Sequence, residues 1–166
     1  PRLGVVEIPI NLHPGSFGFK RTHHIHEGID LYCNQGDEIY AMEDGKVIQN
    51  SIFTGPKVGS PWWNTTFACV VRHDGFYAVY GEMSPTIKAG TKVSAGDSLG
   101  TACTVLKKDK GRPMCMLHLE MYVAGYRESF EWKPFTNKPE FLADPTPYLI
   151  EMASEMGLIS PYDQFG

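Results

Sequence analysis

The 166-residue chain lacks several features whose absence narrows its possible functions. No apolar run approaches the ~20 residues that a membrane-spanning helix needs. The start of the chain lacks the basic residues and long apolar core of a secretory leader. The expectation is a soluble chain without an export signal, with Pro1 left either by removal of an initiator Met or by cutting of a longer precursor. A basic field is also missing: 15 Lys and Arg are scattered against 19 Asp and Glu, giving a net charge of −4 and a pI near 5.8. That balance argues against nucleic acid as a partner. Finally, Cys33, Cys69, Cys103 and Cys115 show no C-x-x-C spacing, which argues against a zinc site built from paired thiolates and predicts buried free thiols. Internal repeats and low-complexity tracts are absent as well. The length fits a single domain over residues 1–166, with its core from about 16 to 149.

What the chain does hold is a concentration of metal-binding side chains in His23-His24-Ile25-His26-Glu27-Gly28-Ile29-Asp30. If this run is extended, side chains alternate between two faces, and His24, His26, Gly28 and Asp30 share one of them. Imidazole nitrogen and carboxylate oxygen are both good zinc donors, and Gly28 between them predicts open space for an ion and a substrate. The comparable stretch is Met114 to Tyr122, where a strand would set Met116, His118 and Glu120 on one face. His118 is the expected third ligand. Two His and one carboxylate suit a hydrolytic zinc ion that keeps one position for the attacking water. Glu120, beside His118, is placed to orient a ligand imidazole through its other ring nitrogen. A solitary His is more often a solvated or hydrogen-bonded core residue, and His13 and His23 are read that way.

The remaining pattern predicts an all-β fold, an antiparallel β core with long loops and one C-terminal helix. Val5 to Ile10 reads as a first strand, with Pro9 marking an edge. Glu38 to Met42 and Lys46 to Gln49 follow as short strands. Phe67 to His73 and Phe76 to Met83 form a hairpin through Asp74-Gly75. Ser51 to Thr66 is predicted to be a long loop carrying Trp62 and Trp63. Lys88 to Gly100 is a tight β segment punctuated by glycine, Lys107 to Pro113 is a charged loop, and Gly125 to Asp144 is irregular. The helix is expected over 146–157, capped by Thr146 with Pro147 in its first turn. Trp62, Trp63, Tyr126 and Trp132 either wall a groove for a peptide or glycan or form a minor hydrophobic core or partner surface.

From about Ser16 to Leu149 the chain resembles the lysostaphin-like (LytM-type) zinc metalloendopeptidases, which cleave peptidoglycan cross-bridges. The resemblance rests on His26-Glu27-Gly28-Ile29-Asp30, Asp44-Gly45-Lys46-Val47, the Lys88 to Gly100 segment and Asp144-Pro145-Thr146-Pro147-Tyr148-Leu149. It implies an antiparallel β core with a loop-walled groove, and Zn2+ held by His26, Asp30 and His118. Two positions depart from the family pattern. Met116 stands where a catalytic His usually precedes the last ligand by two residues, and Glu82 stands where a second one follows the Tyr80-Gly81 pair.

Three readings follow. The first is a zinc-dependent endopeptidase cutting peptide bonds in peptidoglycan stems or bridges. In it Glu82 is the general base, and His73, His24, the metal or a backbone N–H stabilises the oxyanion. The second is a non-catalytic zinc-binding module that recognises cell wall or serves a structural part in an assembly such as a phage tail, beside other virion or cell-envelope proteins. The third is a carrier domain, since Lys88 to Gly100 also resembles the glycine turns of biotinyl and lipoyl domains, although no Met-Lys-Met-like tip is present. The first two suit a phage virion, or an extracellular, wall-bound location after release.

Overall fold

The computed structural model describes residues 8–58, 61, 63–107 and 114–155. Its framework is the hairpin of β4 (Thr66–His73) and β5 (Phe76–Pro85), rich in Val and aromatic residues that suit a pleated, packed surface. His73 pairs with Phe76 around Asp74-Gly75, and Gly75 takes φ +82°, which a residue without Cβ adopts freely. Added to this pair are β1 (Ile29–Tyr32), β2 (Glu38–Tyr40), β3 (Gly45–Thr54), β6 (Lys92–Val93), β7 (Ser98–Ala102), β8 (Met116–Tyr122) and β9 (Leu142–Ala143). The strands run β1-β8-β5-β4-β3-β6, with β7 joining β5 to β2 and β9 alongside β8, and every pairing is antiparallel. α1 (Thr146–Glu155) is the one helix among the described residues.

The central strands are buried on both faces, so their sequences read as nearly continuous apolar runs. On one face Ile29, Leu31, Val47, Cys69, Val71, Ala78, Tyr80 and Leu119 meet Leu149 and Ala153 of α1. On the other, Ala68, Val70, Val79 and Tyr122 meet Ile25, Trp132 and Leu142, with Phe17, Phe53, Tyr126, Phe130 and Phe141 packed around them. This second cover is made by the segments before β1 and after β8, and they are joined where Ile25 N–H donates to the Trp132 carbonyl at 2.8 Å.

Several boundaries differ from the sequence reading. Ile8 to Ile10 form no strand, and Val5 to Glu7 lie outside the described residues; Ile8 is instead a buried plug in the main core. β3 continues to Thr54, because Ile52 pairs with Phe67 and Thr54 with Thr66, so the predicted loop from Ser51 shortens at both ends. Trp132 and Tyr126 are core rather than groove wall: Trp132 is buried with its indole N–H on the Thr136 carbonyl, and Tyr126 stacks on Phe141 at 4.1 Å. Trp63 bridges to Leu106, and Trp62 lies outside the described residues. The helix is capped by Asp144, whose carboxylate accepts the Thr146 N–H at 2.9 Å, and not by Thr146. Residues 156 and 157, the predicted end of the helix, and 108–113 of the charged loop are likewise outside the described residues.

Candidate metal centre

Strand register creates the site. Asp30 of β1 lies opposite His118 of β8, and His118 lies opposite Gly81 of β5, so one row across three strands carries a carboxylate, an imidazole and a glycine. His26 reaches this row from outside the sheet. The strand starts only at Ile29, so the alternation that set His24, His26 and Asp30 on one strand face does not operate. A loop held by the Lys20–Ile25 bridge delivers His26 instead. Gly28 also departs from expectation. A Cβ there would lie 2.6 Å from the Leu119 carbonyl and 2.9 Å from the His118 ring, so the space that Gly28 leaves is filled by the His118 imidazole rather than kept for substrate.

His26 Nε2, Asp30 Oδ1 and His118 Nδ1 form a triangle with edges of 3.2, 2.9 and 3.2 Å. Donors on a tetrahedral zinc at ~2.0–2.1 Å stand about 3.3 Å apart, so the triangle is close to the size of one face of that tetrahedron. The remaining ring nitrogens are engaged. His26 Nδ1 donates to the Ser16 carbonyl at 2.9 Å, and His118 Nε2 lies 2.8 Å from Glu120 Oε2, which leaves Nε2 of His26 and Nδ1 of His118 as lone-pair donors. All three residues are buried. Three electron-pair donors converging in a buried site fit a divalent cation by charge and by distance.

The electrostatics follow from the same contacts. Burial alone would lower the pKa of His118, but hydrogen bonds to Asp30 and Glu120 reverse this and hold it well above the usual imidazole range. Burial would raise Asp30, and its bonds to His118 and His26 draw it below the usual carboxylate range. A guanidinium nitrogen of Arg21, 3.4 Å away, braces the other Asp30 oxygen and also donates to the Pro14 carbonyl. Phe53 closes the far side, its ring 5.4 Å from that of His118.

Residues 24–129, well over half of the chain, match the sequence profile of peptidase family M23. The chain belongs to peptidase family M23. No curated protein matches it by sequence. Among solved structures, this M23 chain is similar to the catalytic domain of the antimicrobial peptidase lysostaphin from Staphylococcus simulans. The identity is 20% over 82% of this chain and 90% of that one, with a TM-score of 0.54. It is also similar to cbpa from L. salivarius REN, at 18% identity over 90% and 92% with a TM-score of 0.56. A zinc containing peptidase from Vibrio cholerae matches at 21% over 76% of this chain and 35% of that one, with a TM-score of 0.50. At these identities the likeness is one of fold.

The other candidate residues of the M23 site separate by position. Glu82 follows Gly81 in a bulge where both residues lie between the Cys69–Tyr80 and Phe67–Met83 pairs. Its backbone takes φ +64°, costly for a residue with a Cβ. Its Oε2 is buried without a hydrogen-bond partner, and burial pushes its pKa up to about 8, with the His118 charge opposing and the Asp30 charge adding to the rise. His24 is half-buried near the same charges; burial and Arg21 lower its pKa, which keeps the ring neutral. His73 is elsewhere. Its ring nitrogens meet the Asp44 carbonyl at 3.0 Å and the hydroxyl of Tyr80 in the main core at 2.9 Å, and its backbone pairs with Phe76, at the turn end of the hairpin and away from Gly81. That placement removes it from oxyanion duty. Met116 is buried two residues before His118. Arg21, Ser16, Phe53, Tyr122 and Ser129 were not singled out in the sequence, because each enters through a long-range contact and none stands in a spacing pattern.

Proposed function

We propose that the chain is a zinc-dependent endopeptidase of peptidoglycan, with His26, Asp30 and His118 as ligands and Glu82 as the proton-transfer group. The observation that carries this reading is the donor triangle of 2.9–3.2 Å with both outer imidazole nitrogens already engaged. M23 membership and the lysostaphin-type fold support the substrate class. Zinc, when bound, supplies the Lewis acidity that polarises the scissile carbonyl and makes water nucleophilic at neutral pH. A divalent charge in the triangle would favour the ionised form of Glu82, whose unpartnered oxygen would then take the proton of the attacking water and pass it to the leaving amine. Neutral His24 donates a hydrogen bond to the developing oxyanion. Such a substrate lies outside the cytoplasmic membrane, so the reading carries a location with it, on a virion or at the cell wall.

Met116 favours a second reading. A buried thioether can neither move a proton nor donate to an oxyanion, which is what a zinc-holding relative without turnover would carry there. One preparation separates the two. Stoichiometric zinc together with release of new amino groups from purified peptidoglycan supports the enzyme, and zinc without release supports the non-catalytic module. A folded protein that takes up no zinc removes both.

A further inference from the structure

Beyond the metal centre, Cys33 and Cys115 meet where β1 ends and β8 begins, with Cys103 close by, next to Thr104, which bridges to Cys115. Cys33 follows Tyr32 and Cys115 precedes Met116, so they are the next opposed pair after Tyr32 and Met116 in the ladder that carries Asp30 and His118. Cys33 N–H donates to the Cys115 carbonyl at 3.1 Å, and the two sulfurs are 4.0 Å apart. Cys33 is half-buried and Cys115 buried, and all four thiols are free. Opposed residues at a hydrogen-bonded position have Cα atoms about 5.5 Å apart, inside the ~4.4–6.8 Å range of disulfides. The sulfurs need rotation about their side-chain bonds and no shift of the strands.

We propose that Cys33 and Cys115 are a reversible disulfide site that clamps β1 to β8, the strands bearing Asp30 and His118. The oxidant class is a small-molecule disulfide such as oxidised glutathione. The Cys33 thiolate attacks one of its sulfurs, forming a mixed disulfide and expelling one thiolate. Cys115 then gives up its proton, attacks Cys33 Sγ and expels the second thiolate. Two protein S–H groups and one disulfide become one protein disulfide and two small thiols. The order of attack follows from access, since Cys33 is the more exposed partner, and from their shared hydrogen bond, which lowers the pKa of Cys33 and raises that of Cys115. Hydrogen-bonded strand pairs splay their side chains, so the bond is strained and a reducing glutathione buffer reopens it. The clamp spans 82 residues of chain, a long loop by the chain-entropy account of disulfides.

The test needs no assay of turnover. Wild type, C33S, C115S, C69S and C103S are equilibrated in glutathione buffers from reducing to oxidising, then examined by thiol titration, intact mass, peptide mapping and melting. Wild type, C69S and C103S should each lose two thiols and two hydrogens, reversibly. The mapped wild-type link should join Cys33 to Cys115, and Tm should rise by on the order of 10 °C. C33S should form no internal bond, and C115S should hold glutathione on Cys33. Wild type keeping all its thiols under oxidising buffer, a mapped link to Cys103, or an unchanged Tm after oxidation would each overturn the proposal. Mapping of wild type stands even if C115S does not fold.

Discussion

Glu27 lies 3.6 Å from His118 Nε2, but the instructive pair near that ring is Glu120 and Glu82, which the chain treats in opposite ways. Glu120 is fully buried, and every part of its carboxylate is engaged: His118 Nε2 at 2.8 Å, the Ser129 hydroxyl at 2.9 and 3.0 Å, and the Tyr122 hydroxyl. It sits in regular strand. Glu82 sits in a bulge with left-handed backbone, one of its oxygens buried and unpartnered. A satisfied buried carboxylate is a brace, and an unsatisfied one on strained backbone costs about 1–3 kcal/mol that folding has no reason to retain. The contrast is the ground on which we propose Glu82, and not Glu120, as the proton-transfer group, with Glu120 as the brace of His118.

The sharpest way to break this contrast is Glu82→Gln, which keeps size and polarity and removes the proton-accepting charge. Peptidoglycan turnover should fall by ~10²–10⁴ while zinc affinity stays within a few-fold; equal turnover would hand the role to His24. Glu120→Gln should do the converse, lowering zinc affinity by ~10–100-fold as His118 loses its anchor, as measured by chelator competition. If zinc affinity were unaffected, the brace assignment would fall.

The third test is pH dependence of the metal-free protein. Burial raises Glu82 from 4.5 to about 8 in the fold, so between these values the folded state keeps a proton that the unfolded chain has released. Stability from this group is therefore complete below about pH 4.5 and is lost as pH rises towards 8. The loss should be about 3–4 kcal/mol larger in wild type than in Glu82→Gln, with Glu27, which burial raises to about 7, contributing equally to both. Urea melts at pH 5 and pH 8 would show it, and parallel losses in both proteins would mean that Glu82 is solvated.

The sequence carried more of the sheet than of the site. Asp74-Gly75 and the Val-rich runs around it announced the central hairpin, because turn chemistry and alternation are local. Asp30 and His118 were legible as a pair for the same reason: each lies in true strand. His26 joined them on an alternation that stops at Ile29, and what seats its ring is a carbonyl ten residues earlier. Glu82 could be named as a departure from the family pattern, but its bulge and its orphaned oxygen depend on how β4 and β5 slip past each other. Likewise, no local signal brings Arg21 to Asp30.

The pairing of β1 with β8 also imposes an order in time. Asp30 and His118 are 88 residues apart in the chain. At ~5–20 residues per second, a ribosome adds His118 roughly 4–18 s after Asp30. Throughout that interval His26 and Asp30 exist as a bare two-donor segment with no sheet to hold them. The third donor arrives with one of the last strands of the sheet, so the complete donor set becomes available only when the ladder closes. Early fragments, and chains stalled before Met116, cannot form the three-donor site.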